Sequence, residues 1–176
     1  MRRVLLLTVL ACALFAAPVN RSLIGAVEVA MNKRIEALFP GEQFVLLGHT
    51  HGVYLEGFGC VFTTRVNLAE GPAPSPFLQE LPPAAKAALN KKKVERLPAL
   101  RSAMREMLVS SAIVMDPVPL TERMVLSVSL FNMPHENMTG LPVQIVMQAD
   151  RRTLMGFLTP KSDKAALEAA IQVREY

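Results

Sequence analysis

Cysteine is scarce in this chain. Its 176 residues hold only Cys12 and Cys60, and Cys12 sits inside an apolar N-terminal run. If that run is removed, Cys60 stands alone and no intrachain disulfide can form. The fold must then rest on packing, even in an oxidising compartment. Charge is low as well: Asp, Glu, Lys and Arg make up 19% of the chain against 51% hydrophobic residues, which excludes disorder and marks a globular protein. Short motifs that announce chemistry are missing. There is no Gly-x-Ser-x-Gly elbow, no phosphate-binding glycine loop and no Cys-x-x-Cys, and the acidic residues are scattered rather than paired. No catalytic residue and no resident cofactor is therefore assigned. There is also no internal repeat and no second composition regime.

What is present starts at the first residues. Arg2 and Arg3 precede an uncharged stretch, Val4 to Ala17, closed by Ala16 and Ala17 ahead of Pro18. A basic start, an apolar centre and small residues at the end are the layout of a secretory signal peptide of bacterial type. A spanning helix needs about 20 apolar residues. This run is shorter, so the expectation is a cleaved leader over 1–17 and a periplasmic or secreted protein. An uncleaved membrane anchor is the minority alternative. Val9-Leu10-Ala11-Cys12 loosely resembles a lipobox, but the apolar stretch before Cys12 is very short and Ala13 to Val19 stays apolar. Without Arg2 and Arg3, the formal charge of +4 falls to +2, with 17 basic against 15 acidic residues. The basic pI is thus partly a property of the leader, and no nucleic-acid partner is expected. Residues 18–176 suit one domain with its own core.

Periodicity divides that domain. Ser22 is placed to cap a helix over Leu23 to Phe39, with Leu23, Ala26, Val27, Ala30, Met31, Ile35 and Leu38 at helical spacing. Pro40-Gly41 stops it. Two extended runs follow, Phe44–Leu47 and Val53–Leu68, separated by Gly48-His-Thr-His-Gly52. If the second run is one strand, Tyr54, Glu56, Phe58, Cys60, Phe62, Thr64 and Val66 share a face. Gly57 and Gly59 call for a bulge or a tight turn within it. Residues 70–83 hold five prolines and read as a loop. A helical region over Ala84 to Met115 carries the stripe Leu97, Leu100, Met104, Met107, Leu108 and Ala112, with a kink or a junction expected at Pro98. Met124–Phe131 and Val143–Ala149 alternate as strands, and the loop between them, Asn132 to Gly140, allows an antiparallel return. A last helix spans roughly Ser162 to Ile171, capped by Ser162. Helix, strands, helix, two strands, helix is an α+β order, with a mostly antiparallel sheet packed against helices.

The sharpest chemical pattern is Gly48-His49-Thr50-His51, reached from an apolar run. It resembles the Gly-His-x-His segment of calcineurin-like metallophosphoesterases, in which two imidazoles present nitrogens to a metal pair that activates water. That family's other motifs are missing: no Asp-x-His precedes it, and no Gly-Asn-His-Asp/Glu appears. The match stays at about five residues. A looser version keeps His49 and His51 as ligands for zinc or copper, since positions i and i+2 of a strand face the same way. Convergence with His135, Glu56 or Glu136 would favour it. Met133, His135, Glu136 and Met138 form a separate candidate loop, although the chain's ten methionines more simply fill gaps between side chains. Cys60, in Gly59-Cys-Val-Phe62, reads as a small buried residue rather than a nucleophile. The stretch Lys86, Lys91, Lys92, Lys93, Arg96, Arg101, Arg105 reads first as a solvated helix face. Its functional alternative is a weak contact with an anionic membrane surface through Lys91, Lys92 and Lys93.

The segment Gly52-Val-Tyr-Leu-Glu-Gly-Phe-Gly-Cys-Val-Phe-Thr63, followed by the Pro-rich loop and Leu97-Pro-Ala-Leu-Arg101, resembles an uncharacterised family of exported bacterial proteins. The resemblance implies a leader, a strand, a long helix and two strands, and it brings no activity, cofactor or site. The expectation is an exported envelope protein, most simply a non-catalytic binding or accessory module with a partner or ligand in the envelope. A metal-binding protein or metal-dependent hydrolase using His49 and His51 is the alternative.

Overall fold

The computed structural model describes residues 19–40, 45–71, 81–157 and 164–176. The leader over 1–17, the cap at Ser162 and most of the Pro-rich loop lie outside them. The first helix, α1 (Arg21–Glu36), begins earlier than its apolar stripe because Asn20 caps it, accepting the Ser22 N–H at 3.0 Å. It buries Ile24, Val27, Met31 and Ile35.

The second extended run proves to be a hairpin. β2 (His51–Leu55) turns at Glu56-Gly57-Phe58 into β3 (Gly59–Asn67), and Tyr54 pairs with Cys60. Gly57, at φ 78°, lets the chain reverse there. β1 (Val45–Leu46) pairs with the same edge of β3, ahead of β2. From β3 the chain crosses through α2 (Pro83–Val114) to β4 (Arg123–Leu130), which runs parallel to β3. Parallel neighbours need such a long crossover. β5 (Gln144–Asp150) returns antiparallel to β4, followed by α3 (Arg151–Met155), α4 (Lys164–Ala170) and an edge strand β6 (Gln172–Glu175) antiparallel to β5. The result is an α+β fold around a six-stranded mixed sheet in the order β1-β3-β4-β5-β6, with β2 also on β3.

Of the two arrangements expected at Pro98, the junction of two helices does not form; Pro98 lies inside one continuous helix. Its missing N–H leaves the Val94 carbonyl without a helical partner. Both residues are solvent-exposed, so water can serve that carbonyl. Pro83, expected in the loop, occupies the first turn of α2, where proline fits. α3 and β6 had no legible signal: each is five residues or fewer, and β6 is exposed along its whole length.

Helices α1 and α2 pack on the sheet face that carries Cys60, Phe62, Val66, Met124, Leu126 and Val128. Leu97, Leu100, Met104, Met107, Leu108 and Ala112 of α2 are all buried there. Burying a side chain of leucine size contributes roughly 1.5–3 kcal/mol, so this one contiguous core dominates stability. Strand alternation sends Val53, Thr63 and Arg65 to the opposite, more exposed face. Among the described residues, no helix is long and apolar enough to cross a membrane.

The basic stretch along α2 does not form one surface. Lys93 is buried and paired with Glu136, with Asn132 Oδ1 2.9 Å from its Nζ. Arg96 is buried, donates to the Leu68 carbonyl and lies over the Phe39 ring, 4.6 Å from its centroid. Arg101 makes two bonds to Glu175, at 2.7 and 2.8 Å. Arg105 meets Glu168 at 3.4 Å. The stripe that packs α2 thus also carries charge, and that of Lys93 is neutralised inside the fold by Glu136.

Candidate functional site

β1 and β2 are two pieces of one interrupted strand. Leu46 pairs with Val66, and His51 is the next residue to pair, with Thr63. Residues 47–50 thus face only Thr64 and Arg65, and the surplus chain arches away from the sheet. Leu47 still donates to the Arg65 carbonyl at 2.8 Å. Gly48 then takes φ 97°, a conformation that costs an L-residue strain and glycine little. His49 and Thr50 complete the arch.

Two polar residues of α1, one turn apart, hold it in place. Asn32 Oδ1 accepts both the Thr50 N–H (2.8 Å) and the Thr50 hydroxyl (2.7 Å). Asn32 Nδ2 lies 3.4 Å from His49 Nδ1. Glu28 Oε1 accepts the Gly52 N–H at 2.7 Å and pairs with Arg21 at 2.8 Å. Partial burial works to raise the Glu28 carboxyl. The Arg21 hydrogen bond, the Gly52 N–H and the charges of Arg21 and His51 outweigh it, so the group titrates below its ordinary value. A carboxyl lowered in this way stabilises the fold above its unfolded-state pKa. That contribution fades as pH falls through the lower folded value.

Beneath the arch lies a hollow of about 320 Å³, open to solvent. Gly48, His49, His51, Thr63, Arg65 and Ser129 line it together with Leu47 and Thr64. The structure brings His49 and His51 to one cavity, His49 from the arch and His51 from the first residue of β2, so the shared face is not that of a single strand. It does not bring the other candidates with them. Glu136 is engaged by Lys93, His135 sits in the same loop as Glu136, and Glu56 occupies the β2–β3 turn. Among the described residues, no group of three or more His, Cys, Asp or Glu side chains is placed to hold a metal ion. Among the described residues, neither imidazole hydrogen-bonds a hydroxyl or thiol.

A second groove, between α1 and α2, is lined mainly by Val27, Ala30, Met31, Met107 and Val114. Its only charges, Arg34 and Glu106, form an ion pair with each other. The hydroxyls of Ser110 and Ser111, which also line it, are spent on the helix carbonyls of Glu106 and Leu108, so the hollow under the arch is the better candidate.

Cys60 lies fully buried on the helix-facing side of β3. Burial, with a smaller contribution from the Glu122 carboxylate, pushes its thiol up to about 11. A thiol held neutral and covered is inert, so iodoacetamide at neutral pH is expected to label Cys60 only after unfolding. The raised value also makes stability depend on alkaline pH. The contribution is intact below the unfolded thiol pKa near 9 and is lost as pH rises through the folded value. Urea unfolding between about pH 8 and 11 should show a decline that Cys60→Ala flattens. Equal slopes in the two proteins would remove Cys60 from that account.

Four participants, Arg65, Ser129, Glu28 and Asn32, were given no role by the sequence. Arg65 and Ser129 meet only because β3 and β4 are parallel and paired residue for residue, Arg65 opposite Ser129. Glu28 and Asn32 are legible as a polar i, i+4 pair on α1, but nothing local says that they hold a distant arch. Comparison with protein-family models, curated proteins and solved structures finds no match.

Proposed function

We propose that the chain is an exported protein of a bacterial-type envelope, acting there as a non-catalytic binding or accessory module with the hollow under the arch as its ligand site. The basic–apolar–small layout of residues 1–17 supports export. The arch carries the binding reading. Two residues of α1 rigidly position a polar, donor-lined cavity on the exposed side of the sheet, and preorganisation of that kind favours binding.

One observation favours the metal alternative: His49 and His51 open on the same hollow. A native mass spectrum of protein taken from the envelope fraction without chelator separates the two. The expected result is the mass of a processed chain free of zinc or copper, with any retained small ligand lost on His49→Ala/His51→Ala substitution. Bound zinc or copper that disappears in the same double variant would replace this reading with a metal carrier or metal-dependent hydrolase. A weak contact with anionic lipid along Lys91, Lys92 and Lys93 would fall to the first two, since Lys93 is buried.

A further inference from the structure

Resting on that assignment of the hollow as a binding site, we propose that the group it receives is an oxyanion, a phosphate or carboxylate, and that Asn32 fixes His49 as a hydrogen-bond donor towards it. The orientation of Asn32 is set by its partners. Its Oδ1 accepts the Thr50 backbone N–H at 2.8 Å, and a backbone N–H can only donate. The other end of the amide is therefore the NH2 group, 3.4 Å from His49 Nδ1. An amide NH2 has no lone pair to offer, so Nδ1 must accept, and the neutral ring carries its proton on Nε2.

That wiring is the reverse of a metal ligand's. A histidine that binds a metal through one nitrogen gives its other N–H to a carboxylate or carbonyl. Were Nε2 to ligate a metal, the proton would move to Nδ1 and face the Asn32 NH2, donor against donor. His49 instead offers Nε2–H.

The surroundings share that character. No Asp or Glu lines the hollow. Arg65 forms no ion pair among the described residues, and its guanidinium lies over the Phe131 ring at 5.5 Å, with its charge left for a ligand. The amide N–H groups of Gly48 and His49 have no hydrogen-bond partner among the described residues. Glu28, the carboxylate close enough to influence His51, is neutralised by Arg21. Positive charge, a fork-shaped donor and unpaired amides on a bent backbone are what bind phosphate and carboxylate oxygens.

The test is a pair of amide and long-range imidazole NMR titrations of the purified chain, one with inorganic phosphate and one with zinc chloride. The expected result is an Nε2–H ring at His49 and saturable phosphate shifts at Gly48 and His49. Arg65→Gln, an exposed substitution that leaves the core intact, should weaken phosphate binding about tenfold. Asn32→Asp keeps both bonds to Thr50 but supplies an acceptor to Nδ1, so it should lose phosphate affinity and gain zinc affinity. An Nδ1–H ring in the parent protein, or phosphate binding untouched by Arg65→Gln, overturns the proposal. Zinc shifts with no phosphate shifts also overturn it, yet keep the hollow as a binding site. Silence towards both ligands removes the site as well. Sedimentation with phosphatidylglycerol vesicles but not phosphatidylcholine vesicles, lost in Arg65→Gln, would support the oxyanion as a lipid headgroup. Phosphate saturation without sedimentation would support a soluble ligand.

Discussion

Exchanging Lys93 for methionine is expected to lower stability by about 3–5 kcal/mol. For a domain of this size that is a fall of roughly 10–15 °C in thermal midpoint. The reason is what the exchange leaves behind. The side chains of Lys93 and Glu136 are only 2% and 5% exposed, so removing the ammonium strands a carboxylate in the interior. Asn132, the other partner of Lys93, loses its donor too. The stranded charge, rather than the lost attraction, sets the size of the effect. It follows that Lys93→Met combined with Glu136→Leu should recover most of the loss, because two apolar side chains of similar volume need no desolvation. The loop itself should stay docked in the double variant, since Asn90 Nδ2 still donates to the carbonyls of Asn137 (2.8 Å) and Thr139 (3.0 Å). Urea unfolding of the two single variants and the double variant measures this directly. A single variant within 1 kcal/mol of the parent would mean that water reaches the pair.

Lys93 also shows how far the sequence could be read. It lies one turn before Leu97 on the same stripe, so positions 93, 97, 100 and 104 pointed inward together. The charge type suggested a solvated face, and the period was the better guide. The partner, Glu136, lies 43 residues away and had no local signal. The core followed the same logic with fewer surprises: every apolar stripe residue named on α2 is buried, because amphipathic spacing is a local property. The arch was half legible. Gly48-His-Thr-His-Gly52 marked a break between extended runs, and Gly57–Gly59 marked a turn. That both flanking strands pair with one edge of β3 depends on register, which only tertiary contacts set. The parallel pairing that brings Arg65 beside Ser129 is equally non-local.

The glycine at the other end of β3 is under the strictest demand. Gly59 is the first rung of the parallel ladder with β4, opposite Arg123, and it adopts φ 128°. A Cβ there would lie 1.9 Å from the Arg123 carbonyl oxygen and 2.6 Å from its nitrogen. Both are main-chain atoms, so no rotamer change relieves the clash. The neighbouring bonds fix them further: Arg123 N–H donates to the Phe58 carbonyl at 2.8 Å, and Glu122 accepts the Gly57 N–H at 3.0 Å. Gly59→Ala is therefore expected to cost more than about 4 kcal/mol, which places it among the rare severe substitutions. Gly57 and Gly48 provide the control. Each has positive φ, 78° and 97°, but nothing stands within 4 Å of an added Cβ. Alanine at either should cost only the backbone strain, about 1–2 kcal/mol. Gly25, inside α1 with open space around it, should gain roughly 0.5–1 kcal/mol from alanine. Urea midpoints should therefore fall in the order Gly25→Ala, then Gly48→Ala and Gly57→Ala together, then Gly59→Ala far below. If Gly59→Ala unfolds alongside Gly57→Ala, then β3 and β4 do not approach so closely at this rung. Arg65 and Ser129 would then lose the ladder that brings them to the hollow.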